Sequence, residues 1–346
     1  MTVTIHVGDC REVLKTLPDE SVQCVVTSPP YWGLRSYGTA PQVWDGDADC
    51  CHVWGDELPQ RRPSDNQVPQ TKWSDNPAAS QGQNASSGAF CQLCGAWRGS
   101  LGLEPDPELY TQHLVEIFRD VRRVLRDDGT MWLNLGDSYA SQGGNRTYGS
   151  SDNGTGRGDA PGERITVNGL KPKDLVGIPW RVAFALQADG WWWRQWFPWV
   201  KTNAMPMSRE DAPGNSVEVV HLFAKSRKYY FDMEGAKETL AIQRNWRNGD
   251  YLLLLDVPTL GFSEAHFATF PPALVEPMIK AGCPVGGVVL DPFGGAGTVG
   301  LVADRLNRDA ILIELNPDYA QMARRRIQDE APMFANVTVL EEALGC

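Results

Sequence analysis

The sequence predicts an α/β fold built on a mainly parallel sheet, and three stretches carry that prediction. Near the start, Val3-Thr-Ile-His-Val-Gly-Asp9 alternates like a half-buried strand, Cys10 to Leu17 is helical in character, and Val22-Gln-Cys-Val-Val26 is a short apolar run. A strand, a helix and a second strand in so short a space form a βαβ unit, whose strands run parallel. Near the end, Val288-Val-Leu290 enters a glycine-rich turn, Asp291-Pro-Phe-Gly-Gly-Ala-Gly-Thr298. An apolar helix through Leu306 and a second buried strand, Ala310-Ile-Leu-Ile-Glu314, follow. Between the two, residues 106–126 carry a helical pattern and Thr130-Met-Trp-Leu-Asn-Leu135 reads as another strand. In an open sheet of this kind, ligands bind at the carboxyl ends of the strands.

Composition bounds the rest. A chain of 346 residues, 42% hydrophobic and 22% charged, has room for one large or two modest globular domains. No run approaches the roughly 18 apolar residues of a membrane helix. The N-terminus lacks the basic-then-apolar layout of a signal peptide, so no membrane partner and a cytoplasmic location are expected. The net charge of −11 argues mildly against nucleic acid as a partner. A local basic cleft can nonetheless coexist with an acidic exterior.

Taken in order, the first βαβ unit ends in Thr27-Ser28-Pro29-Pro30-Tyr31-Trp32. Two consecutive prolines hold φ fixed and donate no N–H bonds, so the carbonyls of Ser28 and Pro29 are stiffly presented beside an aromatic ring. That arrangement suits gripping the exocyclic amino group of a planar base. Residues 36–100 then change character: a Pro-, Ser-, Asn- and Gln-rich stretch is bracketed by Cys50-Cys51-His52 and Cys91-Gln-Leu-Cys94-Gly95. Cys-x-x-Cys-Gly is a knuckle that presents two thiolates to one metal, and two of Cys50, Cys51 and His52 would complete a tetrahedral zinc site. The set Cys50, His52, Cys91 and Cys94 is expected, with Cys51 as the alternative ligand. Such zinc would be structural, closing a polar excursion with little core of its own.

Residues 141–175 are a Gly-, Ser- and Asn-rich loop, and Ile178–Leu186 is a helix with Pro179 in its first turn. As a regular strand, the aromatic run 190–201 puts Trp191, Trp193, Phe197 and Trp199 on one face and Trp192, Arg194 and Trp196 on the other. Lys201-Thr-Asn203-Ala-Met-Pro-Met-Ser208 looks like a site loop. Val217–Lys225 and Tyr229–Phe231 are expected as an antiparallel pair at the sheet edge. After the less regular 232–263, a helix over Phe270–Lys280, one over Pro317–Gln328 and a small strand at Val337–Val339 complete the pattern.

The turn between Leu290 and Glu314 departs from the spacing of a dinucleotide site, and an acid comes first. Glycines let backbone approach a ligand closely, and an acid ending the next strand can accept from both ribose hydroxyls. Asp291 would repel a pyrophosphate but suits an ammonium group. A ligand with ribose, no phosphate and an amino-acid head fits S-adenosylmethionine.

With Ser28-Pro29-Pro30-Tyr31 preceding Asp291–Thr298, the chain resembles the DNA amino-methyltransferases of the Asp/Asn/Ser-Pro-Pro-Tyr/Phe motif, in the permuted β group. The resemblance covers roughly 1–35, 101–140, 176–231 and 264–328. It implies a Rossmann-like S-adenosylmethionine-dependent methyltransferase fold, circularly permuted, with a mainly parallel seven-stranded sheet and here a zinc-knuckle-like insertion. The catalytic domain would comprise 1–35 and 101–331, with the cofactor motif at 290–314, an inserted module at 36–100 and a candidate target-recognition segment at 232–263.

Carried over by position, Ser28, Pro29, Pro30 and Tyr31 are the catalytic motif. Asp291, Phe293, Gly294, Gly295, Gly297 and Thr298 are the cofactor turn, Glu314 is the ribose acid and Asp9 the acid near the adenine amino group. His266 to Phe270 matches the segment at the methionine end, with Phe267 where the family pattern has proline. Trp32, Lys201, Asn203 and Ser208 would line the base pocket. The resemblance implies S-adenosylmethionine as cofactor and double-stranded DNA as partner, is compatible with a cognate restriction endonuclease, and suits a bacterial or phage nucleoid setting. Ser at the first motif position favours cytosine N4 as acceptor, and adenine N6 is the alternative. A DNA-binding protein that has lost catalysis is a further alternative, against which the two intact motifs speak. Cytosine C5 chemistry would need a Pro-Cys nucleophile, and none of the eight cysteines follows a proline.

Overall fold

The computed structural model describes residues 1–33, 39–54, 89–140, 169–171, 173–203, 216–239, 242–244, 251–253, 255–258, 271–330 and 336–341. The chain forms two compact units: Met1–Tyr31, Leu114–Asp137 and Ile178–Cys346 make the first, and Trp32–His113 with Ser138–Gly177 make the second.

The first unit opens with β1 (Thr2–Val7), α1 (Cys10–Thr16) and β2 (Val22–Thr27). It continues through α2 (Pro107–Val124), which begins in the second unit, then β5 (Leu125–Leu135), α3 (Ile178–Ala188), β6 (Trp192–Val200) and β7 (Val217–Ala224). The labels β3 and β4 belong to the strands Gln42–Trp44 and Trp97–Gly99 of the second unit. Then come α4 (Met233–Thr239), β8 (Ile242–Arg244), β9 (Tyr251–Leu253), β10 (Leu255–Asp256) and α5 (Pro272–Gly282). The series closes with β11 (Val288–Asp291), α6 (Thr298–Arg305), β12 (Asp309–Glu314), α7 (Pro317–Glu330) and β13 (Asn336–Glu341).

Among the described residues, nine strands join one sheet in the order β10-β6-β7-β5-β2-β11-β12-β1-β13. The seven inner strands are the expected number, and β10 and β13 extend the sheet at its two edges. Every pair is parallel except those of β7 with β5 and with β6. The expectation of an antiparallel pair at the edge is corrected here: β7 lies inside the sheet, and Tyr229–Phe231 forms no strand. The physical reason is pairing: β7 bonds β5 along one edge and β6 along the other, and its Val220, Leu222, Phe223 and Ala224 are buried as in a central strand.

The two faces of the sheet are covered separately. Phe197, Trp199, Val220, Leu222, Trp132, Val26 and Val3 pack with residues of α4, α5, α6 and α7 in one apolar cluster. Each fully buried side chain of this kind contributes about 1.5–3 kcal/mol. On the other face α1, α2 and α3 adjoin: Arg123 of α2 donates to the carbonyls of Leu14 and Leu17, and Arg119 pairs with Asp189 just past α3.

The aromatic strand departs from simple alternation. A register shift between Trp193 and Gln195 inserts one residue, so Trp193 pairs with Phe223 and Trp196 with His221. Both rings therefore meet Trp180 of α3, at 6.3 and 5.3 Å, while Phe197 stacks on Trp132 from the opposite face. A single bulged residue moves everything beyond it to the other face, and this separates Trp193 from Phe197 and Trp199.

The described residues of the second unit hold little regular structure. Strands β3 and β4 pair antiparallel, and His113 lies between their tryptophans, 4.5 Å from the Trp44 ring and 5.5 Å from that of Trp97. Both imidazole nitrogens are engaged, Nδ1 with Glu104 at 2.9 Å and Nε2 with Asp45 at 2.8 Å. Burial alone would lower the His113 pKa; the two carboxylates outweigh it and hold the pKa above the usual value. No helix among the described residues is long and apolar enough to cross a membrane.

Candidate active site and metal cluster

The carboxyl ends of β2, β11, β12 and β1 lie side by side and carry the predicted motifs. Neighbouring β2 and β11 place Ser28 next to the glycine turn in space, and Thr27 Oγ1 donates to Asp291 Oδ1 at 2.7 Å. Asp291 is buried, and that burial pushes its pKa up to about 7 despite the bonds from Thr27 and the Phe293 N–H. A buried acid near neutrality is poised to pair with a cation.

The turn itself is shaped by close packing. Gly297 has φ +75°, and a Cβ there would lie 2.7 Å from Ala323 Cβ, so glycine alone lets α6 start against α7. At Gly295 the space is open, with nothing nearer than 3.8 Å to such a Cβ. Glu314 accepts from the Gly295 N–H and the Asn316 N–H, both at 2.8 Å, one on each carboxylate oxygen. A carboxylate has about four acceptor sites, so part of its capacity is left over. Burial raises the Glu314 pKa. The residues therefore fit a nucleoside with an amino-acid head: a glycine turn with open space at Gly295, and the two buried acids Glu314 and Asp291 beside it. Asp9 caps α1 through the Arg11 N–H and is also clamped by the Arg11 guanidinium at 2.6 Å. Thr298 Oγ1 accepts from Arg326.

Beside the turn, the Ser-Pro-Pro-Tyr end of β2 meets groups from β5 and β7. Ser28 Oγ donates to the Tyr31 hydroxyl at 3.2 Å, and that hydroxyl donates to Glu218 Oε2 at 2.6 Å. Asn134 Nδ2 donates to the Tyr31 oxygen at 2.6 Å and to Glu218 Oε2 at 2.9 Å. Lys201 pairs with Glu218 Oε1 and lies 5.1 Å from the Trp199 ring centre. The Tyr31 ring is set against the backbone of Gly136, where a Cβ would come within 2.5 Å of Cε2. Asn134 and Glu218 are not among the predicted site residues. Their signal is present as a polar residue inside each apolar run, Leu133-Asn134-Leu135 and Val217-Glu218-Val219.

The remaining base-pocket residues are less gathered. Trp32 belongs to the second unit, where its indole N–H donates to the Glu104 carbonyl at 3.0 Å. Asn203 is exposed, and Ser208, Phe270, His266, most of 141–175 and parts of 232–263 lie outside the described residues.

In the second unit, Cys50, His52, Cys91 and Cys94 bring their ligand atoms within 4.8 Å of one another. Cys50 Sγ and Cys91 Sγ are 3.9 Å apart, and Cys94 Sγ lies 3.4 Å from His52 Nδ1. Tetrahedral zinc with bonds of about 2.3 Å to sulfur and 2.0–2.1 Å to nitrogen has edges of about 3.8 and 3.6 Å, so the set fits that ion. Gly95, at φ +76°, closes the knuckle and donates to the Cys91 carbonyl at 3.0 Å. Exposed Cys51 lies outside the cluster, so of the three upstream candidates the structure gathers Cys50 and His52 with the knuckle.

A mainly parallel sheet with a glycine turn, a buried acid ending the next strand and a Ser-Pro-Pro-Tyr strand end beside them defines a methyltransferase-type site. The chain belongs to the DNA methylase family, whose N6/N4 profile matches residues 22–325. It is 40% identical over 329 residues to the Type II methyltransferase M.XycI of Xanthomonas campestris pv. cyanopsidis, covering 94% of this chain and 88% of that one. To M.SmaI of Serratia marcescens it is 39% identical over 324 residues, covering 93% and 90%. Among solved structures, TTHA0409 of Thermus thermophilus, a candidate DNA modification methylase complexed with S-adenosyl-L-methionine, superposes with a TM-score of 0.57. That match has 22% identity and covers 99% of this chain and all of that one. The PvuII cytosine-N4-specific DNA methyltransferase also gives a TM-score of 0.57, at 17% identity, over 99% of this chain and 95% of that one. These two share the fold.

Proposed function

We propose that the chain methylates the exocyclic amino group of a base in double-stranded DNA, with S-adenosylmethionine as methyl donor and cytosine N4 as the favoured acceptor. The observation that carries this reading is the Thr27–Asp291 bond, which sets Ser28-Pro29-Pro30-Tyr31 beside the glycine turn. The bound donor supplies a sulfonium methyl. Asp291 holds its ammonium group and Glu314 its ribose hydroxyls, while Arg11 shares Asp9 with the adenine amino group. An exocyclic amine is a weak nucleophile because its lone pair is delocalised into the ring. Hydrogen bonds from that amine to Ser28 Oγ and the Pro29 carbonyl favour a tetrahedral nitrogen with a localised lone pair, and the Tyr31 ring stacks on the flipped base.

Tritiated donor and unmethylated duplex DNA, followed by nucleoside digestion, test the proposal. Label in N4-methylcytosine is expected, label in N6-methyladenine would select the other amino acceptor, and no label in DNA would overturn the reading. Ser28→Ala lowers the labelling rate and Tyr31→Ala lowers it strongly. The Type II names of the relatives extend the proposal to a cognate endonuclease, whose cleavage the methylated DNA would resist.

Zinc at Cys50, His52, Cys91 and Cys94 is part of the same reading, as a structural ion that holds the module at 36–100. Elemental analysis of the purified protein should return about one zinc per chain, and Cys91→Ser should lose it. The module and the 141–175 and 232–263 segments would share target recognition. Arg98, whose guanidinium lies 4.7 Å from the Trp54 ring centre, is one basic group placed there. Deleting 60–88 without any change of methylated sequence would remove that part of the proposal.

A further inference from the structure

We infer that Ser28, Tyr31 and Glu218 form a proton relay that carries the base's surplus proton away during methyl transfer. The inference rests on the amino-methylation reading and adds where its proton goes. The base nitrogen forms its bond to the methyl carbon as the carbon–sulfur bond breaks, and that bonding pair leaves on sulfur. The nitrogen is then left with a positive charge and one proton too many. An aspartate at the first motif position could take that proton itself. Ser28 can accept it only while giving up its own hydroxyl proton.

The geometry supplies the route. Ser28 Oγ donates to the Tyr31 oxygen at 3.2 Å, and Tyr31 donates to Glu218 Oε2 at 2.6 Å. Chemistry fixes the direction of the second link, because a carboxylate only accepts. The Tyr31 oxygen also receives the Asn134 Nδ2 donor at 2.6 Å, so its own proton is turned toward Glu218. Each hydroxyl passes on one proton and receives one, both are restored, and the net change is a protonated Glu218. The charged nitrogen of the product is far more acidic than a carboxylic acid, so the transfer runs downhill even with Lys201 on Oε1. The Glu218 side chain is 13% exposed, which lets the proton leave to water before the next turnover. Gly136 against the Tyr31 ring keeps the hydroxyl in line. A chain with phenylalanine at this motif position would lack the middle link, so the relay belongs to the Ser–Tyr pairing found here.

The test is single-turnover methylation of unmethylated plasmid DNA with tritiated S-adenosylmethionine, with donor binding measured separately by calorimetry. Tyr31→Phe keeps the ring and removes the link; Glu218→Gln keeps the shape and removes the acceptor. Each is expected to slow the chemical step about 10²-fold with donor binding unchanged, as loss of a general base does. The double variant should be no slower than the slower single, because the groups act as a unit. Glu218→Asp should recover part of the rate that Glu218→Gln loses. The native solvent deuterium isotope effect should shrink in Tyr31→Phe, which loss of packing alone would not cause. A native chain that labels no DNA overturns the amino-methylation reading and the relay with it. Native labelling with undiminished rates in both single variants, or fully additive losses, overturns the relay alone.

Discussion

The two units of this chain stabilise their polar groups in opposite ways. In the first, a large apolar core surrounds the sheet, and charged groups gather at the carboxyl ends of the strands. Asp291 there is buried with too little compensation, and its raised pKa records the imbalance. In the described part of the second, the strands are two of three residues, and polar groups sit among the buried rings: His113 satisfied by Glu104 and Asp45 between Trp44 and Trp97, and four cysteine and histidine side chains facing one another. A unit with ample apolar area can leave an acid poised for a ligand. A unit without it needs its buried polar groups paired, so the same residue types become structural.

The contrast is broken most severely at the metal cluster. Chelation, or Cys91→Ser, should abolish hydrogen-exchange protection around β3 and β4 while leaving β2, β5 and β11 protected, since apparent zinc affinities in small modules reach about 10–16 kcal/mol. Loss of protection in both units alike would contradict the division. Next in size is His113→Leu, which leaves the fully buried Glu104 carboxylate without its partner and should cost the second unit about 3–5 kcal/mol. The pH dependence has a definite sign. Because the folded pKa of His113 is raised, its contribution is complete below the unfolded value of about 6.5 and disappears as pH rises through the folded value. Tryptophan fluorescence of Trp44 and Trp97 against pH would follow it, and stability that grows with pH would refute the assignment.

In the first unit, Gly297→Ala forces a methyl against Ala323 at a left-handed φ and should cost about 1–3 kcal/mol, read as a lower Tm with weakened donor binding. The smallest effect is the most specific to the ligand. If Asp291 pairs with the donor's ammonium group, binding must expel the proton that Asp291 holds below about pH 7. Affinity for S-adenosylmethionine should then rise about tenfold between pH 6 and 8 and level off above, by the linkage of binding to ionisation. A flat calorimetric profile across that range would remove Asp291 from the ammonium site.

Much of the fold is legible because its parallel strands are short apolar runs bounded by turns. Buried on both faces, β2, β11 and β12 signal themselves by composition alone, and the turn by the glycines that its left-handed φ angles at 295 and 297 call for. The aromatic strand escapes simple alternation because a bulge has no composition of its own: the extra residue at Arg194 shows only in the pairing with β7. The place of β7 is hidden for a related reason, since a sequence reports that a strand is apolar but not which strands flank it.

Local chemistry could therefore be determined from the sequence by itself: the stiff Ser28-Pro29-Pro30 strand end, the Gly294–Gly297 turn, the acid at Glu314 and the Cys91–Cys94 knuckle. Each is written within a few adjacent residues, where backbone geometry follows directly from residue type. Only the tertiary structure decided the partnerships, bringing Asn134 and Glu218 to Tyr31 and gathering Cys50 and His52, not Cys51, with Cys91 and Cys94. Those contacts span dozens to hundreds of residues, and no local pattern encodes which distant side chain the packing will deliver.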